Sequence, residues 1–185
     1  MVRHALLLQA IAAVGSPGGV DSDQARRFLA EADTGHEGIQ TLGGCLVVNT
    51  ASGTEMLREP AALLGRADQA SGVQPPAVSP GARLLYDHRF IVTVPENMEA
   101  GAEILPLGKL LPRDLAGSTL ARRRIATLPV LAKRGQLTQL PEVGASAVRS
   151  ALEGWKSCEA FLPPPKHVFE VHSLLAERFD GDVIR

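Results

Sequence analysis

The spacing of apolar and polar positions divides the chain into a helical opening, a strand-rich middle and a tail. Val2 to Val14 holds two apolar runs broken by Gln9. In Asp21 to Ala32, Ala25, Phe28, Leu29 and Ala32 share one face behind Asp21 or Ser22 as N-cap. Both stretches predict helices. From Ile39 to Glu59 the pattern changes to that of a hairpin. Leu42 to Val48 reads as a strand, Asn49 to Gly53 as turn residues, and Glu55 to Glu59 as the returning strand. Gly43 and Gly44, inside the first strand so drawn, predict a bulge or a close backbone approach.

Gly65 to Gly81 is rich in Gly, Pro, Ser and Ala and predicts a loop. Strand character returns at Arg83 to Tyr86, at Phe90 to Val94 with its β-branched run, and at Glu103 to Leu107. Asp114 is placed to cap a helical turn running toward Arg124. Ala126 to Ala132 and Gln136 to Leu140 then predict two strands around a Lys133-Arg134-Gly135 turn, with Pro129 giving the first an edge or bulged character. After the Pro163-Pro164-Pro165 break, Val168 to Phe179 predicts an amphipathic helix with Val168, Val171, Leu174, Leu175 and Phe179 as its apolar set. No internal repeat is present. The fold class is therefore α+β: two N-terminal helices over 1–38, a small, mostly antiparallel β module over 39–144, and a C-terminal helical tail over 145–185.

Composition narrows this picture. The 185 residues are 45% hydrophobic, enough for the core of one domain with appendages, but only 4% aromatic, so base stacking on aromatic platforms has little to work with. A net charge of −1 conceals a local excess: Lys109, Arg113, Arg122, Arg123, Arg124, Lys133 and Arg134 stand against the single acid Asp114 between 109 and 134. Cys45 and Cys158 show neither CxxC nor His-rich spacing, which predicts reduced, buried thiols rather than a zinc site or disulfide framework. The opening apolar run is too short to span a bilayer and is read as a helix of a cytoplasmic protein, with no membrane partner.

Catalytic and metal chemistry find little purchase. His88 beside Asp87 lacks a nucleophile and reads as a turn histidine, and His167 and His172 are five apart, a poor fit to an i, i+4 metal pair. No catalytic residue and no metal ligand is assigned. Trp155 and Phe161 read as anchors of the tail.

One ordered set of short blocks points to ancestry. Leu42-Gly43-Gly44-Cys45, Arg58-Glu59, Asp87-His88-Arg89-Phe90, Leu107-Gly108, Leu128-Pro129-Val130-Leu131, a basic-Gly turn and Leu140-Pro141-Glu142-Val143-Gly144 follow one another in that order. The series resembles the C-terminal region of tRNA(Ile)-lysidine synthases of the proteobacterial type, across roughly Leu6 to Gly144. Enzymes of that family are ATP-dependent ligases that attach lysine to a cytidine in the anticodon of an isoleucine tRNA, and their C-terminal region helps hold the tRNA body. The resemblance implies tRNA as partner, a role in tRNA modification and an ATP cofactor.

The family's ATP site is a Ser-Gly-Gly-x-Asp-Ser loop between a strand and a helix, where backbone N–H groups cradle pyrophosphate. Pro17-Gly18-Gly19-Val20-Asp21-Ser22 is a look-alike, but Pro17 removes the first hydroxyl and no alternation of strands and helices follows. A turn connecting two helices is the expectation. No cofactor is assigned to this chain, and whether it is itself an enzyme stays open. Phosphate contact is assigned to Arg122, Arg123, Arg124, Lys133 and Arg134, extended by Lys109 and Arg89, with Gly43 and Gly44 shaping the backbone near the RNA. The alternative for the arginine run is a solvated helix face. Arg58-Glu59 and Asp87-Arg89 read first as structural ion pairs or turn bonds.

The expected function is the tRNA-binding part of a lysidine synthase-like protein, working with a separate catalytic chain or lacking one. Two other functions stand beside it: a structural or assembly subunit of a larger complex docking through the tail, and an enzyme with a degenerate ATP loop.

Overall fold

The computed structural model describes residues 2–15, 19–51, 53–64, 78–98, 100–112, 120–142, 144–152, 162–163 and 168–173. It has the α+β character read from the sequence, and the chain divides into two compact units, Met1–Ala62 and Leu63–Arg185. The first strands share their core with the opening helices, and the division falls at 62/63.

In the first unit, α1 (Val2–Val14) and α2 (Ser22–Asp33) accompany an antiparallel sheet of β1 (Gly38–Leu42), β2 (Cys45–Thr50) and β3 (Gly53–Arg58), in that order. Asp21 caps α2: its backbone is extended and its carboxylate accepts the Asp23 N–H at 2.9 Å. Leu7 and Ile11 of α1, Ala25 and Phe28 of α2, and Leu42, Cys45 and Val47 of the sheet form one buried cluster. The Cys45 thiol is buried and donates to the Ile11 carbonyl at 3.7 Å.

Gly43 and Gly44 do not form a bulge. They are the whole connection between β1 and β2, with Leu42 opposite Cys45, and their φ values of 55° and 77° make a two-residue turn of type I′. The anticipated close approach is present: a Cβ on Gly43 would lie 2.7 Å from Ile11 Cγ2. Arg58, only 5% exposed, donates through Nη1 to the Gly44 carbonyl at 3.0 Å, and the Glu59 N–H donates to the same oxygen at 2.9 Å. Arg58 thus makes the turn bond that was one of its two expected roles.

In the second unit β4 (Arg83–Tyr86) and β5 (Phe90–Thr93) form a hairpin extended by β10 (Val171–Ser173). A second sheet runs β6 (Ala102–Pro106), β7 (Pro129–Lys133), β8 (Gln136–Pro141), β9 (Val168–Phe169), antiparallel except for β8 with β9. α3 (Pro60–Leu64) crosses the division between units, and α4 (Leu120–Ile125) and α5 (Ala145–Ala151) flank the second sheet in sequence. Leu107, expected to end a strand, begins a 3₁₀ turn over Leu107–Lys109.

Two expectations are corrected here. Val168 to Ser173 is not helical: Val168 and Phe169 pair with Leu140 and Pro141, while Val171 to Ser173 pair with Val92 to Phe90. Long-range pairing of a β-branched segment overrides a weak helical period. The remainder of that expected helix, 174–179, lies outside the described residues, as do Asp114, Trp155, Phe161, Cys158, His167 and 65–77 of the expected loop. The second correction concerns the edge alternative for β7: the strand is central, while its pairing with β8 does carry an irregularity between Leu131 and Ala132. Pro129 is tolerated because it is the strand's first residue, opposite Pro106. Pro129 to Ala132 are all buried, the continuous apolar run of a strand covered on both faces. Val130 joins Leu107, Leu111, Ile125, Leu140, Val148 and Leu152 in one cluster, whereas Leu131 joins Tyr86, Phe90, Val92, Val94 and Ile104 in another. Among the described residues no helix is long and apolar enough to cross a membrane.

Candidate nucleic-acid interface

The segment Ala126-Thr127-Leu128 connects α4 to β7. Its three carbonyls accept from three places: Gly108 N–H reaches Ala126 at 2.8 Å, Arg89 Nη2 reaches Thr127 at 3.5 Å, and Leu107 N–H reaches Leu128 at 2.9 Å. Lys109, at the end of the 3₁₀ turn, is thereby held beside the C-terminal end of α4 and its arginines. Gly108 permits this contact, since a Cβ there would lie 3.0 Å from the Ala126 carbonyl oxygen.

The arginines of α4 do not share a face. Successive helical residues are about 100° apart, so three in a row fan across roughly 200° of the helix surface. Accordingly Arg122 and Arg123 are half-buried and Arg124 is exposed. Lys109 is exposed as well. Lys133 and Arg134 lie at the far end of β7, about 13 Å from its start by ordinary strand rise. Arg134 takes φ 51° and Gly135 φ 73° in the β7–β8 turn, which leaves Arg134 exposed and Lys133 half-buried. The basic set is thus spread over α4, the 3₁₀ turn and the tip of the β7–β8 hairpin.

Arg89 stands apart from both. It is 6% exposed, its Nε donates to Asp87 Oδ2 at 2.7 Å, and its guanidinium carbon lies 4.8 Å from the centre of the Phe90 ring. The geometry withholds it from solvent phosphate and gives it the structural ion pair that was its other expected role. The β4–β5 turn explains how: Asp87 and His88 both take positive φ, 48° and 56°, and the Arg89 N–H donates to the Tyr86 carbonyl at 3.2 Å. His88 is exposed at the turn. Burial first, then the Asp87 charge, holds the Tyr86 hydroxyl well above the usual phenol range, with Arg89 opposing. Gly43 and Gly44 belong to the other unit, where they form the β1–β2 turn.

The blocks that carry the family resemblance therefore have structural work in this chain. Gly43-Gly44 turns a hairpin, Arg58 pins it, Asp87-Arg89 is a buried ion pair, Gly108 allows a close crossing and Pro129 to Leu131 fills a central strand. Sequence reasoning missed a one-residue bulge in β8, opposite Leu131 and Ala132, because it leaves no periodic signature. Compared with protein-family models, curated proteins and solved structures, the chain shows no match to any of them.

Proposed function

We propose that this chain is a tRNA-holding module of a lysidine synthase-like protein, binding the sugar-phosphate backbone and leaving the ATP-dependent chemistry to a catalytic domain or a separate chain. The observation that carries the proposal is the bond from Gly108 to Ala126, which brings the backbone next to Lys109 to the end of α4, the helix of Arg122, Arg123 and Arg124. Guanidinium and ammonium groups so placed make charge-assisted bonds to phosphates without reading sequence. The order of the blocks from Leu42 to Gly144 supplies tRNA as the RNA in question. Asp21 caps α2, a role in keeping with a helix-connecting turn at Gly19 to Ser22. Titration of the full chain with an unmodified isoleucine tRNA in low salt tests the reading. Binding that weakens steeply as salt rises is expected, and no binding at low salt would refute it.

A second reading is an assembly subunit, drawn from the proline break and apolar pattern of the tail over 163–185. Light scattering of the chain purified from native extract separates the two. A stable protein complex free of RNA favours the subunit.

A further inference from the structure

Strand β1 ends its sheet, and the phase of its ladder decides which backbone groups it leaves open. In a two-residue hairpin the closing pair, here Leu42 and Cys45, exchanges both backbone bonds. Alternation along the ladder then gives Gln40 and Gly38 to β2 as well, and turns the N–H and C=O groups of Ile39 and Thr41 outward. The other side of β2 is in the same phase: the Glu59 N–H donates to the Gly44 carbonyl, so Gly44 bonds toward β3 and Cys45 toward β1. Ile39 is 50% exposed, and Thr41 is exposed with it.

Proteins guard open edges with charge, proline, bulges or short strands. Among the described strands the other edges carry such guards. β3 has Glu55 and Arg58, β4 has Arg83, β6 has Glu103 and Pro106, and β9 and β10 are two and three residues long. β1 has five residues, no charge, no proline and an unbroken register.

The charges around this edge choose among occupants. Gln40 Nε2 donates to Glu31 Oε2 of α2, and Glu31 and Glu37 are both exposed. The first unit as a whole holds seven acidic residues against four basic ones. A second copy that paired the same four outward groups would be centred on Gln40, and each Gln40 would carry its Glu31 toward the other. Charge thus opposes self-pairing and favours a basic strand.

We propose that β1 takes up an extended, basic peptide segment of a protein partner, bonded to Ile39 and Thr41. Apolar residues of the peptide lie beside Ile39 and Thr41, and a Lys or Arg opposite Gln40 meets Glu31. Main-chain bonds supply affinity in such strand addition, and alternate side chains supply specificity. Peptide binding here is independent of the phosphate-binding reading, whose basic residues lie in the second unit.

The test is nuclear magnetic resonance titration of the full chain with a blocked Lys-Val-Lys-Val-Lys peptide, with its copy methylated at both valine nitrogens, and with Glu-Val-Glu-Val-Glu. At about millimolar concentration the first peptide is expected to shift the Ile39 and Thr41 amides and to slow their exchange with solvent, leaving exchange at Gln40 unchanged. Methylation keeps the charge and removes two donors, and is expected to weaken binding at least about tenfold. The acidic peptide is expected to bind more weakly than the basic one. Thr41→Pro removes an outward N–H, the strand setting that proline tolerates, and is expected to fold and to lose the first peptide. Equal binding of the methylated copy, or no change at Ile39 and Thr41, overturns the proposal, and both comparisons use the unaltered chain. Slow exchange at these two amides without peptide, quickened by dilution, would assign the edge to a second copy and overturn it as well.

Discussion

Asp87 and Arg89, two residues apart across the tip of the β4–β5 hairpin, form an ion pair of 2.7 Å whose side chains are 3% and 7% exposed. Removing either partner strands the other charge in a dry site, which costs about 3–5 kcal/mol. Arg89→Ala is expected to destabilise the chain on that scale in urea unfolding. The double change Asp87→Ala/Arg89→Ala is expected to cost less than the sum of the two single changes. Additive losses would show that the pair is not coupled.

Tyr86, 3% exposed, sits next to that pair and is the only tyrosine in the chain. In the unfolded chain it loses its proton near the ordinary value of 10.0, while the folded chain holds the proton well above that. Its contribution is therefore complete below about pH 10 and is lost as pH rises, because the unfolded state then binds fewer protons. Phenolate absorbance should appear only together with alkaline unfolding, and Tyr86→Phe should make stability fall less steeply above about pH 10. Phenolate forming in the folded chain near the ordinary value would contradict this.

Gly43 and Gly135 both take positive φ in two-residue hairpin turns, but only Gly43 is crowded: its Cβ would meet Ile11 Cγ2 at 2.7 Å, while nothing lies within 4 Å of one on Gly135. Gly135→Ala should cost only the left-handed backbone penalty, about 1–2 kcal/mol. Gly43→Ala should cost that plus the displacement of Ile11, about 1–3 kcal/mol more. Thermal melting of the two variants compares them directly, and equal losses would rule out the close approach of the turn to α1.

Local signals make much of this fold legible. The α2 cap, the strands at Arg83 and Phe90 and the Lys133-Arg134-Gly135 turn are written in residues that act within a few positions of themselves. Gly43-Gly44 is legible as glycine but not as a turn, since Gly38 to Leu42, with its polar Gln40 and Thr41, is a weak strand until β2 pairs with it. Val168 to Ser173 escapes a local reading because its partners, Leu140 and Val92, lie far away in sequence. In the candidate site, charge is legible and exposure is not. Arg89 and Arg124 look alike as letters, yet one is buried against Asp87 and the other is exposed on α4. The one-residue bulge of β8 adds no pattern to a strand only six residues long.

The proposed RNA binding assigns the exposed basic residues to phosphate and leaves the buried Arg89 to the fold. Lys109, Arg124 and Arg134 are exposed, and Arg89 is buried. The most direct measurement is the dependence of tRNA affinity on salt, by filter binding, for the unaltered chain and for Lys109→Glu/Arg124→Glu/Arg134→Glu. Every phosphate that a basic side chain no longer neutralises makes the slope of log affinity against log salt shallower by about 0.7–0.9. The triple variant is expected to bind more weakly at low salt, with a slope shallower by about 2 or more. An unchanged affinity and slope would contradict the assignment of these three residues to phosphate.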